Sequence, residues 1–169
     1  GILTCNTPEL PLGGPNTSSG SEFMYLWITS EGHFTGPTDL PLTTADSSGV
    51  YQLQVLNQIN GCRDTSTVIF GADQQIPYVD AGNDQEFTCG DEMLYLDGTG
   101  SDTTQNITIL WTGPCIETPS DSLVIEISCP GTYYLELIDI DSGCQNQDTV
   151  VVSTDFAALF AELPDTAFI

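Results

Sequence analysis

Gly49-Val50-Tyr51-Gln52-Leu53-Gln54-Val55 carries the clearest strand pattern in the chain. Tyr51, Leu53 and Val55 alternate with Gln52 and Gln54, the period of two of a strand with one buried face. The same pattern returns as Gly131-Thr132-Tyr133-Tyr134-Leu135-Glu136-Leu137. The second copy is apolar on parts of both faces, as a central strand or one touching a neighbour would be.

A shift of roughly 82 to 84 positions brings the rest of the chain into coincidence, the signature of an internal repeat. Leu3-Thr4-Cys5 meets Phe87-Thr88-Cys89, and Leu10-Pro11-Leu12-Gly13-Gly14 meets Leu94-Tyr95-Leu96-Asp97-Gly98. Trp27 meets Trp111, each at the same distance after its cysteine. Asn60-Gly61-Cys62 meets Ser142-Gly143-Cys144, and Thr67-Val68-Ile69 meets Thr149-Val150-Val151. Repeat 1 is read as residues 1–73, its first strand truncated, and repeat 2 as 74–153. Residues 154–169 are a tail or the start of a third repeat, and 155–163 is the one helix candidate.

Further β segments are expected at 23–29 and 106–112, which carry the tryptophans, and at the β-branched runs 123–127 and 150–152. Gly, Asn, Asp and Ser clusters separate them. About seven short strands in ~80 residues describe an immunoglobulin-like β-sandwich. The expected fold class is therefore all-β, with tandem sandwiches. Trp27 and Trp111 are expected in the cores, with Tyr51 and Tyr133 buried and their hydroxyls fastening a corner.

The charge is one-sided. Asp and Glu number 24 against one basic residue, Arg63, for a net −23. Such a surface repels nucleic acid and anionic membranes, and suits cations or a saline medium. No apolar run approaches a membrane span. Gly1-Ile2-Leu3-Thr4 lacks the regions of a signal peptide, so the sequence is expected to start within a domain of a longer protein.

Six cysteines in a chain this poor in basic residues point to an oxidising compartment, hence a secreted protein. Fifteen pairings are possible. Repeat symmetry favours Cys5–Cys62 and Cys89–Cys144, leaving Cys115–Cys129. The first two would close loops of ~55 residues, each worth roughly 4 kcal/mol in the loop-closure model. The alternative is head-to-tail pairing, in which the early cysteine of one repeat meets the late cysteine of the next. Zinc is disfavoured because there is no Cys-x-x-Cys and His33 is the only histidine.

Nothing in the sequence reads as an active site. His33 has no counterpart in repeat 2, no Gly-x-Ser-x-Gly surrounds a serine, and no phosphate loop occurs. No enzyme is expected. Calcium is the one cofactor worth weighing. Asp80, Asn83 and Asp84 cluster in the linker, and Asp139, Asp141 and Asp148 flank the second hairpin, whereas turn preference alone also places these residue types there. Asn16-Thr17-Ser18 and Asn106-Ile107-Thr108 are N-glycosylation sequons. Tyr25, Tyr78, Tyr95 and Tyr134 are candidates for a glycan-binding face, although they do not repeat.

The order Thr-Cys, Leu-x-Leu-x-Gly, Trp, Gly-x-Tyr-x-Leu-x-Val and Asn-Gly-Cys resembles the PKD-like and immunoglobulin-like repeats of giant secreted proteins of Bacteroidota. The matching residues are Cys5, Trp27, Tyr51 and Cys62, then Cys89, Trp111, Tyr133 and Cys144. Pro77-Tyr78-Val79-Asp80-Ala81-Gly82 looks like that family's Pro-x-Ala-x-Ala-Gly opening, and Asp121-Ser122-Leu123 and Asp148-Thr149-Val150 look like its O-glycosylation pattern. The resemblance implies type IX secretion, a cell-surface or extracellular location, and a role in adhesion, gliding or fibres, without catalytic residues. The partners expected are neighbouring repeats or copies of the same chain, with surface glycans as an alternative. One specific form has Phe156, Leu159 and Phe160 of the apolar tail adding a strand to the next subunit. Other readings are a ligand-binding accessory module and a calcium-stiffened spacer.

Overall fold

The computed structural model describes residues 1–103 and 106–155. The expected tail contacts of Phe156, Leu159 and Phe160, the helix candidate and any third repeat lie outside the described residues. All regular structure within them is β.

The first unit spans Gly1–Ile76 and takes in Asp139–Gln145. It holds β1 (Ile2–Thr4), β2 (Leu10–Leu12), β3 (Phe23–Thr29), β4 (Thr43–Ala45), β5 (Gly49–Asn57) and β6 (Arg63–Asp73). One sheet has the order β1-β6-β5-β3, and the other pairs β2 with β4. The strand at 23–29 runs antiparallel to β5 with Trp27 opposite Leu53. Trp27, Tyr51 and Leu53 thus face inward, packed with Leu12, Ala45 and Phe70 between the two layers. Aromatic rings run in series through this core. Phe34 meets Tyr51 edge-on at 5.2 Å, and Tyr51 lies 5.3 Å from Phe70.

The second unit spans Pro77–Ile138 and resumes at Asn146. It holds β7 (Gln85–Phe87), β8 (Leu94–Asp97), β9 (Ile107–Thr112), β10 (Val124–Ile127), β11 (Gly131–Asp139) and β12 (Gln145–Thr154). Its sheets repeat the plan, as β7-β12-β11-β9 and β10-β8. Trp111 and Tyr133 are buried with Leu96, Ile125, Leu135 and Val150. Both units are immunoglobulin-like β-sandwiches.

The repetition extends to register. β1 joins β6 in parallel with Leu3 opposite Ala72, and β7 joins β12 in parallel with Phe87 opposite Thr154. A three-residue strand pairing in parallel with the last strand of its own unit leaves no periodic signature, so sequence alone showed the cysteines there but not the strands.

Candidate functional site

Each tyrosine expected at a corner is fully buried, and its hydroxyl donates to a carbonyl four residues upstream. Tyr51 Oη reaches Ser47 O, and Tyr133 Oη reaches Cys129 O. In the first unit the same hydroxyl also accepts the His33 N–H at 3.1 Å. His33 is thus part of the corner, and its Nδ1 lies 2.8 Å from Asp46 Oδ1 on the exposed side.

The second unit closes the equivalent corner covalently. Phe34 bridges Ala45 as Ile116 bridges Ile127, so His33 corresponds to Cys115 and Ser47 to Cys129. Cys115 and Cys129 are disulfide-bonded across a separation of 14. The lone histidine and the extra cysteine pair are alternative solutions to one local problem, namely anchoring the turn after the Trp strand to the turn before the Tyr strand. The turn in the second unit is shorter, and Cys115 takes up a left-handed backbone, φ 43°.

The tryptophans differ in one hydrogen bond. Trp27 Nε1 donates to Leu40 O at 2.9 Å, whereas Trp111 Nε1 is buried with no partner among the described residues.

The linker acids serve the backbone. Asp80 Oδ1 accepts from Gly82 N at 3.0 Å, and Asp84 Oδ1 from Val151 N at 2.8 Å. Asp148 Oδ2 accepts from Ala81 N at 2.8 Å, and Asp139 Oδ1 from Asp141 N and Ser142 N. Asn83 is exposed. No group of three His, Cys, Asp or Glu side chains gathers among the described residues.

The cysteine pairing expected from repeat symmetry is corrected. Cys5 is bonded to Cys144, and Cys62 and Cys89 are exposed free thiols. The head-to-tail alternative therefore describes Cys5 and Cys144. The turn 139–145 belongs to the sequence of repeat 2, yet it groups with the first unit, which holds Cys5. The physical reason is placement. Cys5 follows β1 and Cys62 immediately precedes β6, strands whose Thr4 and Asp73 are register partners, so Cys62 stands at the other end of β6 from Cys5.

The four tyrosines are divided between the units, Tyr25 in the first and the others in the second. Tyr25 donates to Ser18 O at 2.7 Å from β3. Tyr95 and Tyr134 are exposed on strands of different sheets of the second unit, and Tyr78 lies in the linker. A hydrogen bond with Glu126 raises the Tyr95 phenol above its ordinary range. Asn16, Ser122 and Thr149 are exposed. No helix among the described residues is long and apolar enough to cross a membrane.

No family model matches the chain, and no curated protein matches it. Solved structures do. Sidekick-1 immunoglobulin domains 1–4 are 12% identical over 90% of this chain and 48% of that one, with a TM-score of 0.38. The PKD domain from the KIAA 1837 protein is 26% identical over 54% of this chain and 100% of that one, TM-score 0.37. Drosophila N-cadherin EC1-4 is 8% identical over 79% and 41%, TM-score 0.39. The chain spans about half the length of the Sidekick-1 fragment that it matches.

Proposed function

We propose that this chain is a structural repeat of an extracellular surface adhesin or filament, working as part of a rod or polymer. The observation that carries the reading is the doubled sandwich whose Cys5 and Cys144, from the opening of one repeat and the closing hairpin of the next, are covalently tied. Two disulfides require an oxidising compartment, which fits secretion. A net charge of −23 keeps such a rod solvated and apart from other rods except at specific contacts. The sequence resemblance to repeats of giant Bacteroidota surface proteins adds type IX secretion to the proposal.

The tie has a mechanical meaning. Tension applied through the chain ends bypasses everything between Cys5 and Cys144, a separation of 139 residues. Strands β2 to β11 are thereby shielded from unravelling, whereas β1 and β12 lie outside the tie and bear the load. Light scattering and negative-stain imaging of the purified chain across a concentration series test the reading. Growth into rods or fibres supports it. Compact monomers at every concentration that bind a glycan array would assign the chain instead to a ligand-binding module.

A further inference from the structure

The two free cysteines are copies of the two that are bonded. Gly61 N donates to Asn57 O at 2.8 Å, and Gly143 N to Asp139 O at 2.8 Å. Asn57 N donates to Cys62 O at 2.9 Å, and Asp139 N to Cys144 O at 2.9 Å. Gly61 and Gly143 share the left-handed conformation, φ 73° and 72°. The other half of the junction is duplicated too. Thr7 N donates to Thr4 O around Cys5, and Asp91 N to Thr88 O around Cys89.

What differs is cover. In the bonded hairpin Ser142 and Cys144 are buried, Asn6 N donates to Ser142 O at 3.2 Å, and the Asn6 side chain occupies the space over Gly143. In the free hairpin Asn60 and Cys62 are exposed, Ile59 is 83% exposed, and the space over Gly61 is open among the described residues. Cys62 also lines an open concavity of about 430 Å³ between residues 14–18 and strands β5 and β6. The free hairpin is a socket built like the filled one.

The bonded pair names the occupant: it joins the early cysteine of one repeat to the late cysteine of the next, and Cys89 and Cys62 are the early and late cysteines left over. Arg63, the one basic side chain besides His33, sits next to Cys62 and has no carboxylate partner among the described residues. Asp91 and Glu92 follow Cys89 at two and three positions. Asp64 follows Arg63, so the arginine offsets the local negative charge at Cys62, while Asp91 and Glu92 leave the Cys89 side acidic; one positive charge at Cys62 eases the meeting of two strongly acidic chains there.

We propose that Cys89 of one copy of this chain bonds to Cys62 of the next, extending the Cys5–Cys144 pattern into a covalent head-to-tail polymer. This rests on the structural-repeat reading above. The chemistry is two thiol–disulfide exchanges with a small-molecule disulfide. One protein thiolate attacks the small disulfide and expels a small thiolate. The second protein thiolate attacks the mixed disulfide and expels the other. Two protein thiols are oxidised and one small disulfide is reduced to two thiols.

The test mixes equal amounts of ¹⁴N- and ¹⁵N-labelled chain with oxidised glutathione, followed by non-reducing electrophoresis and peptide mass spectrometry. The expected result is a ladder that dithiothreitol collapses, with Cys62–Cys89 peptides of mixed isotope and Cys5–Cys144 intact. C62S alone and C89S alone should stay monomeric, and their mixture should stop at one heterodimer. R63E should slow cross-linking several-fold at low salt. The proposal is overturned by a Cys62–Cys89 link found only within single chains, by single variants that dimerise as fast as the mixture, or by no ladder. It is also overturned if native material links Cys62 to a cysteine of a different repeat. Fibres that persist in the C62S/C89S double variant would remove only the covalent link, whereas compact monomers without a ladder would remove the structural-array reading as well.

Discussion

Replacing Cys115 and Cys129 together by alanine should destabilise the second unit far more than His33→Ala destabilises the first. The disulfide closes a loop with a separation of 14, which the loop-closure model values at about 3 kcal/mol. Alanine at 115 also inherits the left-handed φ of 43°, so no backbone strain is relieved. Glycine there should recover about 1 kcal/mol, because it adopts that conformation without a Cβ penalty. In the first unit the same corner rests on the His33–Asp46 contact, whose side chains are 69% and 42% exposed. A pair so open to solvent is worth at most about 1 kcal/mol. For a unit of this size 1 kcal/mol moves Tm by roughly 4–8 °C. The cysteine variant should therefore lower the transition of the second unit by roughly 12–24 °C. Calorimetry combined with hydrogen exchange of peptides from β9 and β11, against β3 and β5, separates the units. A loss below about 1 kcal/mol, or equal loss of protection in both units, would refute the equivalence of the two corners.

Trp27→Phe should cost about 1 kcal/mol more than Trp111→Phe in denaturant unfolding, because Trp27 surrenders a hydrogen bond while Trp111→Phe removes a buried donor that has no partner among the described residues. Thr35→Val should raise the Glu9 carboxyl back toward its ordinary range in a carboxyl NMR titration, since the Thr35 and Thr44 hydroxyls hold it below that range. The sign follows from the lowered folded value. The stabilisation from Glu9 is present above the unfolded-state value and is lost as pH falls through the folded one. A calcium chelator should leave Tm unchanged, because no group of three acidic side chains gathers among the described residues; a clear fall would support the stiffened-spacer reading. Pulled by its ends in force spectroscopy, the oxidised chain should withhold on the order of 450–500 Å of contour that a reductant releases, from a separation of 139 at ~3.3–3.6 Å per residue.

The alternation around Tyr51 and Tyr133 made the central strands legible, because burial on one face imposes a period of two over nine residues. The tryptophan strands and the tyrosine corners followed from the same repeat. β4 did not, since Thr43-Thr44-Ala45 is too short and too polar to carry a period. The cysteine pairing was not legible for a different reason. Pairing within each repeat and pairing across repeats share the same symmetry, and only the position of Cys62 at the far end of β6 from Cys5 separates them. The match between His33 and Cys115 was hidden by the shorter turn of the second unit. The linker acids could not be read either way, because oxygen ligands for a cation and acceptors for turn N–H groups are the same residue types.

The central question for this protein is whether its repeats serve an array. Negative-stain imaging of native secreted material, with gold-conjugated antibody against this chain, measures that directly. Extended fibres decorated at regular intervals are the expected result. Single labels on compact, unconnected particles would contradict it.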